Sequence, residues 1–415
     1  MSRILLLTPQ LPYPPHQGTS LRNFHIIRGL AEQHEITLLS FLESNQTADS
    51  AAIEPLLALC AVHTVPVPVR SPARRLWQLV STRRPDMAHR LYSEAFAIEL
   101  RRLLAADQFD IVQVEGIELA RYMEIVRAVS PTSKIVFDDH NAEAELQRRN
   151  FLTDLGKPRR WLAAAYSWVQ VGRLCRFERW AMMMADGVTA VSQTDKLALE
   201  KLLNGTRTNT DKHGLIAVIP NCIDVVQYQD FADFQKSAKS HAFDLVFIGK
   251  MDYRPNVDAV LWFVEEVWLG IVGERPSTKF AIVGQKPHAR LERLRDVPGV
   301  TLTGWVESVT PYLLGATVFV SPFRIGSGTR LKLIEAMAAG KAIVSTPIGA
   351  EGFAVQDGQE LLLAETAVQM GTAVLHLLDH PEERERLGQN ARQFAQQYDW
   401  RQVIPKFEEL YRVIV

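Results

Sequence analysis

The stretch at residues 321–340, SPFRIGSGTRLKLIEAMAAG, restricts the fold more than any other part of the chain, because it joins an apolar strand to a helix through a turn of small residues. The preceding run at 312–320 ends in VFV, short and β-branched enough for a buried parallel strand, and Ser321-Pro322 closes it. Gly326, Ser327 and Gly328 permit a sharp turn and a close approach of backbone to a ligand, while Ser327 or Thr329 can cap the helix that follows. Leu331, Ile334, Met337 and Ala338 recur at helical spacing, and Gly340 with Lys341 marks the end. The unpaired N–H groups at such a helix start suit a phosphate or diphosphate. Glu335, about one turn further in, then lies within reach of a sugar hydroxyl. Ordinary strand-to-helix turns favour the same small residues, so the rest of the chain must decide between capping and anion binding.

A chain of 415 residues is too long for one core, and two domains are expected. With 47% hydrophobic and 22% charged residues it has the composition of a soluble globular protein. A net charge of -1 gives no general attraction to nucleic acid, and no nucleic-acid partner is expected. Cys60, Cys175 and Cys222 are widely separated and fit neither a disulfide framework nor a zinc site, as suits a reducing cytoplasm. The opening MSRILLLTPQ is too short an apolar run for a secretory signal and reads as a first buried strand. No uninterrupted apolar run is long enough to span a bilayer. A cytoplasmic location is therefore expected, open to peripheral contact at the inner face of the membrane.

Along the chain, strands expected at 4–7, 35–41, 111–114 and 135–137 alternate with helices at 21–32, 53–59 and 161–185, and VTAVS and LIAVIPN add two more strands. Residues 226–242 turn polar and lack an apolar face, and are read as a linker. A second series follows: DLVFIG, a helix at 256–268, KFAIVG, GVTLTG, ATVFVS, the turn and helix described first, and AIVST. The expected organisation is an N-terminal domain at 1–225, a C-terminal domain at 243–395, and a final helix at 396–415 whose Val403, Phe407, Leu410 and Tyr411 can pack back on the first domain. Each alternating series implies a doubly wound parallel sheet with binding groups at the strand ends, and two such domains would leave a cleft between them for ligands.

These motifs, in this order, resemble the retaining nucleotide-sugar glycosyltransferases of family 4. They are ILLLTPQLPYPPHQGTSLRN, DDHNAE, VTAVSQTD with VIPNCID, FIGKMDYRPNVDA, VTLTGWVES, and GSGTRLKLIEAMAAGKAIVST with GAEG. The resemblance covers nearly the whole chain and implies the GT-B fold, two facing Rossmann-like domains with the active site in the cleft between them. It assigns Glu335 to the donor ribose hydroxyls, a contact that short charge-assisted bonds favour; pairing with Lys332 is the plainer alternative. Lys250, after a strand-end glycine, would neutralise the donor diphosphate and the charge on the leaving group, or else be a solvated lysine. His140 would lie against the donor sugar, although a lone histidine is commonly structural. Asp138, Asp139 and Glu143 either support that histidine or form a plain acidic loop. Gly18 and Thr19, read as preceding a helix near Leu21, would bring amides to the phosphate or acceptor, or make a plain turn. Trp305 and Val306 would meet the base, with Trp305 equally open to core packing. Gly328 and Thr329 complete the phosphate turn.

Two departures qualify this pattern. The first glutamate of the family's pair falls at Ser327, and a lysine expected shortly after Lys250 falls at Pro255. Arg330 or Lys332 is expected to restore the missing positive charge. The implied reaction moves a sugar from a nucleotide diphosphate sugar to a glycan, lipid-linked or small-molecule acceptor, with retention and without a metal or resident cofactor, since Asp138-Asp139 is adjacent rather than spaced. An epimerase, a phosphorylase or a non-catalytic nucleotide-sugar binder would share the architecture. A dehydrogenase does not fit, because no GxGxxG follows the first strand. Finally, Arg70, Arg74, Arg75, Arg83, Arg84 and Arg90 interleave with Trp77, Leu79 and Val80, either as a face for anionic membrane or as a solvated helix; Arg148, Arg149, Arg159, Arg160 and Trp161 would extend it.

Overall fold

The computed structural model describes residues 1–15, 18–44, 46–155, 161–204, 215–228, 242–326 and 328–415. They form two compact units, Met1–Cys222 with Trp400–Val415, and Ile223–Asp399. Residues 223–225, expected with the first domain, and 396–399, expected with the final helix, thus belong to the second unit. Ser327, Arg159, Arg160 and most of the expected linker lie outside the described residues.

In the first unit seven parallel strands stand in the order β3-β2-β1-β4-β5-β6-β7. They are β1 (Arg3–Thr8), β2 (Glu35–Leu42), β3 (Ala61–Pro66), β4 (Ile111–Glu115), β5 (Lys134–Asp139), β6 (Gly187–Ala190) and β7 (Leu215–Val218). Side chains alternate across a strand, and here both faces are apolar. Leu5 and Leu7 of β1 pack with Val112, Val114, Ile135 and Phe137 on one face. Ile4 and Leu6 pack with Ile36, Leu38, Ile111 and Val136 on the other. The chain order reverses between β1 and β4, which opens a crevice at their C-terminal ends.

Six helices of this unit bear on function: α1 (Gly18–Leu30), α2 (Pro72–Ser81), α3 (Glu143–Leu155), α4 (Trp161–Met184), α5 (Gln193–Asn204) and, from the end of the chain, the helix Trp400–Ile414. The last buries Val403, Ile404, Phe407, Leu410 and Tyr411 against Ile26, Ile27 and Leu30 of α1. Gly29 allows that approach: a Cβ there would lie 2.4 Å from Ile404 Cγ1.

The second unit repeats the plan with six parallel strands in the order β10-β9-β8-β11-β12-β13. These are β8 (Phe243–Ile248), β9 (Phe280–Val283), β10 (Val300–Gly304), β11 (Ala316–Ser321), β12 (Ala342–Ser345) and β13 (Leu362–Leu363). Leu245, Phe247, Phe280, Ile282, Val318, Val320 and Val344 build its core. The reversal now falls between β8 and β11, the two strands that lead to Lys250 and to the turn before the helix Leu331–Ala338. Among the described residues no helix is long and apolar enough to cross a membrane.

Several element boundaries differ from expectation. β11 begins at Ala316, and Tyr312 lies in a short helix, Thr310–Gly315, that Pro311 starts. α1 begins at Gly18, so Gly18 and Thr19 form its first turn instead of a preceding loop. The helix expected at 256–268 runs as Arg254–Trp262, a wide π turn Phe263–Val267, and Trp268–Glu274. β3, AVHTVP, was not anticipated: its alternation is weak, and it ends on Pro66 at the sheet edge. The ring of Phe407 is fully buried, so Phe407→Ala should destabilise the first unit by about 3–5 kcal/mol. Chemical denaturation should show a lowered midpoint for that unit.

Candidate functional site

In the first unit the ends of β4 and β5 place Glu115, Asp138 and His140 together at the reversal crevice. His140 Nε2 lies 2.8 Å from Glu115 Oε2 and 4.0 Å from Asp138 Oδ2. Arg22 of α1 bonds Asp138 through Nη2 at 2.8 Å and Nε at 3.1 Å, and donates to the Pro220 carbonyl at 2.8 Å. Thr189 Oγ1 donates to Asp138 Oδ1 at 2.5 Å. Arg22 and Asp138 are almost wholly buried, whereas the His140 side chain keeps 19% exposure.

Burial raises the cost of every charge here, and the neighbours decide the outcome. For His140 burial works against the imidazolium, but the bond to Glu115 and the charge of Asp138 outweigh it and raise its pKa. Burial and then the Asp138 charge push Glu115 up. Asp138 is held down: burial opposes ionisation, and Arg22 and His140 overcome that. Glu115 and His140 are thus joined by a hydrogen bond in which Nε2 faces the carboxylate. Glu115, Asp138 and His140 offer ligand atoms within 4.8 Å of one another, a spacing a metal could use. Of the three, Asp138 is also ion-paired with Arg22.

Behind this group sits a buried set of acids from β5, α4 and α5. Glu178 of α4 accepts the backbone N–H groups of Glu143 at 2.6 Å and Ala144 at 3.3 Å, so it caps the start of α3. Asp195 accepts from Ser192 Oγ at 2.5 Å and from Ala142 N at 3.4 Å. Among the described residues no N–H group reaches the buried Asp139, whose carboxyl lies against Glu178. Burial and the surrounding carboxylates push Asp139 well above its ordinary value. Burial pushes Glu178 up to about 7, although its two backbone N–H bonds pull the other way. The acidic-loop reading of Asp138, Asp139 and Glu143 therefore does not hold: the first two are buried, and each belongs to a defined network.

In the second unit Glu335 is 2% exposed. Lys332 Nζ lies 2.8 Å from both of its oxygens. The Tyr228 hydroxyl donates to it as well, and burial and the Glu335 charge keep that phenol protonated. Residues 226–228, expected in the linker, are thus part of this unit: the turn Val225–Tyr228 packs on the helix Leu331–Ala338. Lys332 is engaged by Glu335, so it is not a free replacement for a missing phosphate-binding cation. Arg330 is the N-cap residue of that helix, with no side-chain cap bond, which displaces Thr329 from the capping role; Thr329 and Gly328 remain in the turn. The Arg330 guanidinium stacks on Phe323, 4.6 Å from the ring centre. Gly326, at φ 120°, makes room for it, since a Cβ would lie 2.5 Å from Arg330 Nη2.

Lys250 follows β8, is 45% exposed and pairs loosely with Asp252 at 3.8 Å. Pro255, where a lysine was expected, sits in the first turn of the helix Arg254–Trp262, where its missing N–H costs nothing. Trp305 is 71% exposed after β10, so it does not pack in the core; Val306 beside it is half-buried. The second unit therefore gathers Lys250, Trp305, Val306, Arg330, Lys332 and Glu335 at or beyond the C-terminal ends of its strands. Gly18, Thr19 and His140 belong to the first unit. Arg22, Glu115, Glu178 and Tyr228 were not anticipated. The available signals were a glutamate closing the apolar strand IVQVE and an arginine among the buried positions of α1.

The family model "Glycosyltransferase Family 4" matches residues 17–227, and "Glycosyl transferases group 1" matches residues 242–380. An uncharacterised 44.6 kDa protein of the cps region of Klebsiella pneumoniae is 23% identical over 215 residues, covering 50% of this chain and 54% of that protein. A phosphatidyl-myo-inositol mannosyltransferase of Mycolicibacterium smegmatis is 26% identical over 202 residues, 47% of this chain and 51% of that protein. The chain thus spans about half the length of the curated relatives it matches. Among solved structures, a sucrose-phosphate synthase from Thermosynechococcus elongatus aligns with TM-score 0.72 at 16% identity, over 100% of this chain and 99% of that one. Anabaena HepE in complex with UDP and glucose aligns with TM-score 0.66 at 15% identity, over 100% of both chains. These likenesses establish the GT-B fold class.

Two outcomes follow from the electrostatics of the first unit. Glu115→Gln should lower the pKa of His140, because it removes both the hydrogen-bonding carboxylate and its charge; an NMR titration of the imidazole reads this directly. Glu178 is raised from 4.5 to about 7, so the native state holds a proton that the unfolded chain releases. That stabilisation is complete below about pH 4.5 and lost as pH rises through about 7. Tm should therefore fall as pH rises from about 4.5 to about 7 and level off above that. Glu178→Gln, which keeps a cap acceptor without the charge, should flatten the fall.

Proposed function

The chain belongs to glycosyltransferase family 4, and from that premise we propose that it moves a sugar from a nucleotide diphosphate sugar to an acceptor hydroxyl, with retention at the anomeric carbon. The observation that carries this reading is the buried Glu335. It stands one turn inside a helix that follows a glycine-rich turn, at the strand-order reversal of the second unit. A carboxylate has about four acceptor positions. Lys332 takes two and Tyr228 one, which leaves one for a ribose hydroxyl without rearrangement.

The diphosphate would sit against the first-turn N–H groups of the helix Leu331–Ala338, where the helix dipole favours negative charge. Lys250 would add its ammonium as charge builds on the leaving oxygen. His140, held by Glu115 through Nε2, has Nδ1 left for a sugar hydroxyl. We identify no carboxylate suited to covalent attack on the sugar. We therefore favour departure and attack on one face, with the leaving phosphate taking the acceptor proton and the protein positioning groups and stabilising charge. Two named proteins support a nucleotide diphosphate donor and a lipid or glycan acceptor: HepE with UDP, and the phosphatidyl-myo-inositol mannosyltransferase.

Thermal shift across a panel of nucleotide sugars should reveal one donor that raises Tm with its occupancy. Glu335→Gln should weaken that donor by roughly 10- to 100-fold, the size of a lost hydrogen bond to a charged group. NMR of the product should show the donor's anomeric configuration. An inverted product would remove retention, conversion of the donor without acceptor would point to an epimerase, and absence of any nucleotide-dependent shift would overturn the reading.

A further inference from the structure

α2 is a ten-residue helix with none of its residues buried. Four of its apolar residues nevertheless share one stripe: Leu76 and Trp77 lie four and three positions before Val80, with Ala73 one turn earlier. A helix on a globular protein ordinarily turns such a stripe toward the core. Here the opposite holds. Leu76 is 64%, Trp77 66% and Val80 80% exposed, while Gln78, Leu79 and the Arg75 contact face the protein.

The inverted orientation is fixed at several points. Ser71 caps the start by accepting from Arg74 N at 3.2 Å, and Thr82 Oγ1 closes the end on the Gln78 carbonyl at 2.8 Å. Arg75 reaches Tyr166 of α4 at 3.4 Å and Asp86 at 3.2 Å. Asp86 N in turn donates to Gln170 of α4 at 2.9 Å. A preformed and braced helix loses little conformational freedom when something covers it.

Charge indicates what covers the stripe. Of the six arginines between 70 and 90, Arg70 and Arg75 pair with Asp86, Arg84 with Glu124, and Arg90 with Glu118. Arg74 and Arg83 are exposed and have no side-chain partner among the described residues. No acid occurs in α2. Tryptophan and aliphatic side chains facing out, edged by unpaired arginines, match the interface of a bilayer with anionic headgroups. A second copy fits less well, because a twofold contact through this patch would bring like charges together.

We propose that α2 docks on an anionic lipid bilayer, with Leu76, Trp77 and Val80 entering the headgroup boundary and Arg74 and Arg83 meeting the lipid charges. The docking is independent of the transfer reaction and is measured without donor or acceptor. The full chain should sediment with vesicles of phosphatidylcholine and phosphatidylglycerol at low salt, and much less with phosphatidylcholine alone. Joint replacement Leu76→Ser, Trp77→Ser and Val80→Ser should reduce binding at least about tenfold while leaving Tm unchanged, since these side chains support no core. Arg74→Glu with Arg83→Glu should lower binding to the anionic vesicles by a similar factor and leave binding to neutral ones unchanged. No binding to anionic vesicles at low salt, or equal binding by the triple variant, would overturn the proposal. So would a wild-type oligomer that the triple variant dissociates, which would make a second copy the occupant, or saturable binding of an acidic peptide in place of vesicles.

Discussion

The first unit depends on one buried ion pair, Arg22 with Asp138. The arginine lies on α1, the aspartate at the end of β5, and the same guanidinium reaches the carbonyls of Ile219 and Pro220 beyond β7. One side chain therefore ties three segments that are far apart in sequence, and its guanidinium also lies 5.7 Å from the ring of Phe407 on the C-terminal helix. Taking both charges out of water is costly, and such a pair adds little net stability over an apolar substitute. Removing one partner is another matter, because the survivor stays buried without compensation, at a cost of about 3–5 kcal/mol. The pair's effect is on specificity: with Asp138 held ionised, His140 keeps a negative neighbour, and the imidazole stays biased toward its charged form.

Much of the architecture was legible because buried parallel strands announce themselves. RILLLT and FDLVFI carry apolar residues on both faces, IVQVE carries them on one face and at its start, and each is followed by residues that suit a strand-to-helix turn. What escaped has a physical reason in each case. β3 is a weakly alternating edge strand, and nothing in six residues of mixed character separates it from a loop. Gly18 and Thr19 were placed before α1 because glycine is a poor helix former, yet the first turn tolerates it, since its N–H groups have no intrahelical partner in any case. Tyr228 looked like linker because its importance lies in one long-range bond to Glu335, and no local pattern encodes such a bond.

The site residues divide along the same line. Glu335, Lys250 and His140 could be named because the motifs that resemble the family carry them, and those motifs sit where strands lead into turns and helices. Their supporting groups could not. Glu115 and Glu178 read as ordinary acids in sequence, and only the fold shows one orienting an imidazole and the other capping α3. Lys332 has two readings in the sequence, a phosphate-binding cation and a partner of Glu335. As a sequence neighbour of the turn it was a candidate to bind phosphate, but at three positions before Glu335 on one helix face it neutralises that carboxylate instead. A buried carboxylate without such a partner would carry its charge uncompensated, which is costly.

The C-terminal helix shows how a distant segment can condition the site chemistry. Tyr411 donates its hydroxyl to Gln113 Oε1, Gln113 Nε2 donates to Glu115 Oε1 at 2.5 Å, and Glu115 Oε2 meets His140 Nε2 at 2.8 Å. Burial, with the charges of Glu115, Glu408 and Asp138, pushes the Tyr411 phenol well up, so it remains a donor. The amide of Gln113 can therefore present its oxygen only toward Tyr411 and its nitrogen only toward Glu115. That polarity leaves the second Glu115 oxygen for the imidazole. A glutamine inside a buried strand would ordinarily be a liability; here a tyrosine from the last helix makes it a one-way connector. The return of residues 400–415 to the first unit thus does more than bury Phe407 and Leu410: through Tyr411 it orients the Gln113 amide that donates to Glu115, the partner of His140.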